Sequence, residues 1–334
     1  MKKNNITCVL ILIMLFSEQM VYSQCGCPGN SSTFGTVPLS ELSNVNSFIG
    51  DNLFVSLNNS YGYADTYVVR DTPIGQGFIK DYQSNFLNVR VGYKPISKLI
   101  VETEVGYFIK KKMNDEINFE QSSKGFSDLS FYARYTFYKD PENGLDFSGG
   151  AGVKIPLTRG SEYVPQNIQS STGAYATILN LVGKKIFPAI NSALILSHRT
   201  DINYTNKYDY RYGNSYRTSL MFVNNVIENL VIGLEVRNET RQKDFNVAKN
   251  EILNESGYSS IIISPIIRYS IGDFVVNTFF DMPAYQYYYG ENGQLGYKNS
   301  FGFSFSYSSR IEFSNFLNNL WYNQEPTPTL PASE

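Results

Sequence analysis

The chain has 334 residues but a single histidine, His198, and three cysteines, so the groups able to do nucleophilic or metal chemistry are few. Histidine-based triads and zinc sites need that residue in set company. A barrel phospholipase would place a Ser-His pair on its outer surface. His198 falls on an outward parity near one strand end, but its neighbours are Arg199 and Thr200, and no serine stands two positions later on the same face. Geometry is the first requirement for a general base, so no catalytic residue is assigned and His198 is read as interfacial. Cys25-Gly26-Cys27 places two thiols one residue apart. The readings, in order, are an oxidised pair in an oxidising compartment, soft-metal binding by Cys25 and Cys27, and lipidation of Cys25, which Gln24 disfavours because a small residue should precede the cysteine.

The remaining chemistry is that of charges at alternate positions. Asn88, Arg90, Glu102, Glu104, Asp128, Arg134, Lys154, Arg199, Arg217, Glu235, Arg237, Glu239, Arg268 and Asp281 share one parity of their segments and are predicted to line a lumen. Seven of these are basic and six acidic. A ring of like charges would select ions, whereas near balance favours pairing inside the wall. No cofactor is expected, and a net charge of -2 gives no reason to expect a nucleic-acid partner.

Those positions need elements that alternate. Lys2 and Lys3 followed by the apolar run Cys8 to Phe16 read as a secretory leader, too short to span a bilayer, with cleavage expected after Ser23. The rest of the chain has no uninterrupted apolar run near 18 residues, so helical spans are not expected. Its composition is 15% aromatic, with 26 Tyr and 23 Phe, and 17% charged, at a mean hydropathy of -0.24. Aromatic-rich, charge-poor and yet not hydrophobic overall is the balance expected when lipid-facing and water-facing side chains alternate.

A period of two picks out about twelve strands: 52 to 61, 84 to 93, 98 to 108, 126 to 138, 145 to 157, 172 to 184, 189 to 199, 213 to 224, 229 to 241, 257 to 270, 273 to 286 and 296 to 308. One face of each is free of Asp, Glu, Lys and Arg, as in Leu87, Val89, Val91 and Tyr93, or Ile190, Leu194 and Leu196, or Phe301, Phe303, Phe305 and Tyr307. A soluble sandwich would also alternate, but its strands are usually shorter, about 5 to 6 residues. Short links at 94–97, 139–144, 185–188, 225–228 and 271–272 alternate with long polar ones near 62–83, 109–125, 158–171, 200–212, 242–256 and 287–295. The fold class that follows is all-β, a transmembrane antiparallel up-and-down barrel with short periplasmic turns, long external loops and both ends in the periplasm.

The expected organisation is a signal peptide over 1–23, a flexible arm or partial plug over 24–50, the barrel over 51–308, and a short amphipathic helix with a disordered tail over 309–334. Phe313, Phe316, Leu317, Leu320 and Trp321 carry that helix on their spacing. The alternative is that 307–313 prolongs the last strand.

Several stretches resemble the outer-membrane transporters named after the meta-cleavage pathway of phenol degradation, which are similar in style to the long-chain fatty-acid channel. They are Gly125-Phe126-Ser127-Asp128-Leu129-Ser130 running into Ala133-Arg134-Tyr135, and Gly150-Ala151-Gly152-Val153-Lys154-Ile155-Pro156. Tyr212-Gly213-Asn214, Ser264-Pro265, and Met282-Pro283-Ala284-Tyr285-Gln286 with Gly293-Gln294-Leu295 follow in order. The resemblance covers about 84 to 308; the CGC start and the tail depart from it. It implies passive passage of small, often hydrophobic molecules across the bacterial outer membrane, with lipid and solute as partners. The alternatives are a non-transporting structural or docking barrel and, third, an outer-membrane lipid hydrolase. The Tyr-rich stretches 207–212 and 285–289 are the expected entry surface.

Overall fold

The computed structural model describes residues 23–24, 53–75, 79–115, 120–158, 168–254, 256–290 and 293–309. The leader, the arm with Cys25 and Cys27, and the segment beyond 309 lie outside the described residues, apart from Ser23–Gln24, a two-residue strand paired with Ser256 and Gly257.

Twelve long strands build the wall: β1 (Leu53–Ala64), β2 (Ile79–Ile96), β3 (Leu99–Asp115), β4 (Glu120–Asp140), β5 (Leu145–Pro156), β6 (Ala176–Phe187), β7 (Ser192–Asn203), β8 (Ser215–Ile227), β9 (Leu230–Arg241), β10 (Ser256–Ile271), β11 (Phe274–Tyr288) and β12 (Asn299–Ser309). Each pairs antiparallel with the next, and β12 returns to β1, with Phe303 opposite Asn59 and Phe305 opposite Leu57. A strand edge left open in hydrocarbon would strand its N–H and C=O groups, so closure is the condition for spanning.

Exposure is inverted relative to a soluble protein. Leu179, Leu181, Leu196, Phe222, Ile232, Leu234, Val236, Ile267, Phe301 and Phe303 face outward and are exposed, while Arg90, Arg134, Glu235 and Arg237 are buried. Outward aromatics gather toward both ends. Tyr61 meets Phe301 (centroids 5.5 Å) and Tyr107 meets Phe126 (5.1 Å) at the end bearing the long links; Phe274 meets Phe305 (5.3 Å) and Tyr307 (5.1 Å) at the other. Two such girdles flanking an apolar band mark the two water interfaces of a membrane barrel.

The structure moves several expected boundaries. The link at 109–125 is a tall hairpin, because β3 continues to Asp115 and β4 begins at Glu120. Lys110 to Lys112 and the polar residues around them break the period-two hydrophobic signal there, yet the backbones pair, and Lys112 bonds Glu120 at 2.6 Å. Ile190 does not lie on the lipid face of a strand: it ends a 3-10 turn, Pro188–Ile190, closed by Asn191 at φ 48°. The following strand therefore starts at Ser192 and runs on to Asn203. Tight turns elsewhere use glycine at positive φ, Gly144 (61°) and Gly272 (57°), where a side chain would be strained. The last strand, β12, is described as far as Ser309, and 310–313, where the expectation of a longer strand falls, lie outside the described residues.

Leu234 sits well inside β9 on the lipid side, 47% exposed. Leu234→Arg is expected to lower folding stability in vesicles by about 2–4 kcal/mol, read by urea titration of barrel fluorescence.

Candidate functional site in the barrel interior

Because alternate side chains point inward, each strand delivers its polar residues to one shared volume where neighbouring strands set the partners. The first cluster runs around the seam. Ser306 of β12 donates to Ser56 (3.0 Å), Ser56 to Asn58 (3.0 Å), Asn58 Nδ2 to Asn88 Oδ1 (3.2 Å), and Asn88 Nδ2 to Glu104 Oε1 (2.7 Å). Arg90 Nη2 bonds Glu104 Oε2 at 3.0 Å. Four strands are thereby tied by side chains as well as by backbone. Glu102, 1% exposed, lies beside the Arg134 and Arg90 charges.

The second cluster joins β5 and β7: Lys154 Nζ bonds Asp201 Oδ2 at 2.9 Å, and Arg199 Nε bonds Asp201 Oδ1 at 2.7 Å. Arg217 is registered between Arg199 and Glu239. Asp201 was not among the residues singled out from the sequence. It continues the parity of Arg199 two positions on, but the expected strand stopped at 199. Adding it to the thirteen charges makes seven of each sign.

The third cluster centres on Arg237, which bonds three carboxylates: Glu235 (3.0 Å), Glu239 (2.8 Å) and, across the sheet on β11, Asp281 (3.0 Å). Arg237 and Glu235 are both 0% exposed. Asp281 is further held by the hydroxyls of Ser264 and Ser300 (3.2 Å), and Tyr297 donates to Ser300 at 2.7 Å. A guanidinium with five donors suits such a hub.

Asp128 does not join these rings. It is a clasp for the link after β5: Ser171 Oγ donates to Oδ1 (2.5 Å) and Thr172 Oγ1 to Oδ2 (3.3 Å). Nearby, Lys111 Nζ donates to Gln169 O (2.8 Å) and Ser123 to Ile168 O. Ile168 thus enters the barrel end, packed with Ala64, Tyr67, Tyr82, Met113 and Leu295 in one buried apolar cluster.

Two small sheets cover the same end. Thr66–Val69 pairs with Thr72–Gly75 and with Gln294–Gly296, joining the first and last external links. Lys298 bonds Asp65 at 2.6 Å beside it. Burial pushes the Asp65 carboxyl up, but hydrogen bonds from Lys298 and Thr66 outweigh it and hold the group below its usual range. The other sheet joins Tyr210–Arg211, Phe245–Asn246 and Glu251–Ile252. There Asp244 takes Arg241 Nη2 (2.5 and 2.7 Å), Gly213 N (2.7 Å) and the Tyr210 hydroxyl, whose pKa is pushed up by burial and by Asp244. Tyr210 and Tyr212 stack edge to face at 4.8 Å, so part of the Tyr-rich stretch 207–212 is packed into this cover, while Tyr285 to Tyr288 belong to β11.

A second buried apolar cluster lies on the inner face toward the short-turn end: Val182, Ile195, Met221, Ile266 and Phe279. The Phe279 ring covers Gly302 of β12, where an added Cβ would fall 2.4 Å from the ring. His198 is on the outer face, its ring nitrogens within 2.8 Å of Thr218 Oγ1 and 3.0 Å of Thr200 Oγ1, with no serine among its hydrogen-bond partners. Among the described residues no group of three or more His, Cys, Asp or Glu is placed to hold a metal ion.

A closed twelve-stranded sheet, a charge-free apolar outer band and an interior rich in paired charges define a transmembrane β-barrel of the outer-membrane type. The chain belongs to the family described as "Putative MetA-pathway of phenol degradation", whose sequence model matches residues 66–303. Among solved structures it is similar to the COG4313 outer membrane channel from Pseudomonas putida F1, at a TM-score of 0.64 and 10% identity over 79% of this chain and 98% of that one. Weaker likenesses are to the NanC porin (TM-score 0.46, 11% identity, 76% of this chain and 98% of that one) and to a variant of the TodX monoaromatic hydrocarbon channel (0.43, 10%, 82% and 95%). No curated protein sequence matches the chain.

Removing the hub cation leaves three carboxylates facing one another. Arg237→Met is expected to destabilise the barrel by about 3–5 kcal/mol at neutral pH. The loss should shrink as the pH falls, because protonation then neutralises the orphaned carboxylates; urea titrations at pH 8 and pH 5 check both the size and the sign. Asp128→Asn weakens a charge-assisted clasp, and proteolysis within 157–175 of the folded barrel should quicken roughly tenfold, the equivalent of ~1.5 kcal/mol.

Proposed function

We propose that the barrel is an outer-membrane channel for the passive passage of a small hydrophobic solute, with no cofactor and no chemistry performed on the solute. The observation that carries this reading is a pair of buried apolar clusters, one where the inner face meets the external cover and one on the inner face toward the periplasmic end. Outer-membrane barrels ordinarily have a polar interior. Apolar surface set in series along that interior gives an apolar solute places to leave water. The charged clusters between are paired internally, so they hold the wall without attracting ions strongly. The non-enzymatic part of the reading is supported by His198, the sole histidine, which is engaged by two threonines on the lipid side.

Passage requires the cover at the external end to move. Val68 and Gln294 are directly opposite each other in the small sheet that joins the first and last links. A Val68→Cys, Gln294→Cys pair in a Cys25→Ser, Cys27→Ser background can form a cross-strand disulfide there. Naphthalene uptake is read by fluorescence in vesicles with a lipopolysaccharide outer leaflet. Oxidation is expected to slow uptake at least fivefold, and dithiothreitol to restore it. Uptake no faster than in protein-free vesicles, with the thiols reduced, would instead identify a sealed structural barrel.

A further inference from the structure

Beside the periplasmic apolar cluster stands a cation that no acid balances among the described residues. Arg268 points inward from β10 and is 4% exposed. Its Nε is buried without an acceptor, its guanidinium makes no ion pair among the described residues, and no charged group among them acts on it. The groups facing it from neighbouring strands are neutral: Val231 on β9, Asn277 on β11, Ser270 on its own strand and, one strand further, Ser304 on β12. Arg90, Lys154, Arg199 and Arg237 all have carboxylates in contact. A buried, uncompensated charge opposes folding, so Arg268 is costly to keep unless something visits it.

Its surroundings say what that visitor is. Arg268 is directly opposite Asn277, and the adjacent inward rung of the same two strands pairs Ile266 with Phe279. Successive inward rungs are about 7 Å apart, the length of a carboxylate joined to a six-membered ring. Asn277 also has an open position: its Nδ2 lies 2.9 Å from Ser304 Oγ, while its Oδ1 is buried without a partner. Because the serine hydroxyl can donate as well as accept, the amide can turn to offer Nδ2 to an anion. A guanidinium matches a carboxylate in a two-pronged geometry that a lysine would not provide.

We infer that Arg268 and Asn277, with Ile266 and Phe279, form a binding station for an amphipathic monoanion, a carboxylate on a compact apolar body. This rests on the channel reading above and narrows its solute class.

The test is calorimetric titration of the purified, folded full chain in zwitterionic detergent, with sodium benzoate as probe. Acetate serves as the probe without an apolar body and benzyl alcohol as the one without charge. Wild type is expected to bind benzoate at least tenfold more tightly than either. Arg268→Gln should weaken benzoate tenfold or more and leave benzyl alcohol unchanged, whereas Phe279→Ala should weaken benzoate and spare acetate. Arg268→Lys keeps the charge should Arg268→Gln fail to fold, and is expected to weaken benzoate by a smaller factor. Equal benzoate affinity in wild type and the Arg268 variants, or no binding by wild type, overturns the station. The latter includes the case of an acidic side chain from 25–52 or 310–334 already seated on Arg268. Benzoate binding without naphthalene flux would overturn the channel reading alone; flux without binding would overturn the station alone.

Discussion

Everything in this structure depends on the backbone having no water to bond with in the hydrocarbon layer. Each N–H and C=O in the band must be satisfied by a neighbouring strand, and only a ring of strands leaves none over. The return of β12 to β1 is therefore the condition under which any of the other strands can stand in a membrane. It also explains why the seam is reinforced from inside, by the hydrogen-bonded run from Ser306 through Ser56, Asn58 and Asn88 to Glu104.

Closure turns the period of two into a partition between solvents. Outward positions meet lipid and carry Leu, Ile, Val and Phe; inward positions must be polar, or be buried against something else. The interior charges show how that demand is met. Carboxylate and guanidinium groups held away from bulk water are tolerable when paired, and the three clusters around Glu104, Asp201 and Arg237 do this with partners both on their own strand and on others. Structural and functional roles then separate by partner count. Arg237, with three carboxylates, is part of the wall. Asp128 is a clasp on a covering link. Arg268, with no carboxylate among the described residues, stands next to the apolar rung of Ile266 and Phe279 and is the inward charge with the least structural justification.

The external cover follows from the same economy of buried surface. Ile168, Tyr67 and Leu295 come from three separate links and gain burial only by folding over the barrel mouth together with Ala64, Tyr82 and Met113. The small sheet between the first and last links satisfies their backbone groups meanwhile. A cover built from short strands and a few side-chain bonds is far easier to open than the wall beneath it.

The fold class, the count of about twelve strands and, Ile190 apart, the lipid-facing set were legible along the chain, because these are written in a local period that survives without knowledge of any neighbour. Charges two residues apart, such as Glu235, Arg237 and Glu239, were legible as inward for the same reason. Membership of the inner face did not say which charge meets which. The bond from Arg237 to Asp281 spans 44 residues, and only the register of β9, β10 and β11 brings the two together. The height of the β3–β4 hairpin, whose lysine-rich run Lys110 to Lys112 interrupts the hydrophobic period, was likewise invisible, as was the clasp of Asp128 on Ser171. Only the folded arrangement leaves Arg268 without an acid beside it among the described residues, because partners in a barrel are assigned by strand pairing across the ring and not by distance along the chain.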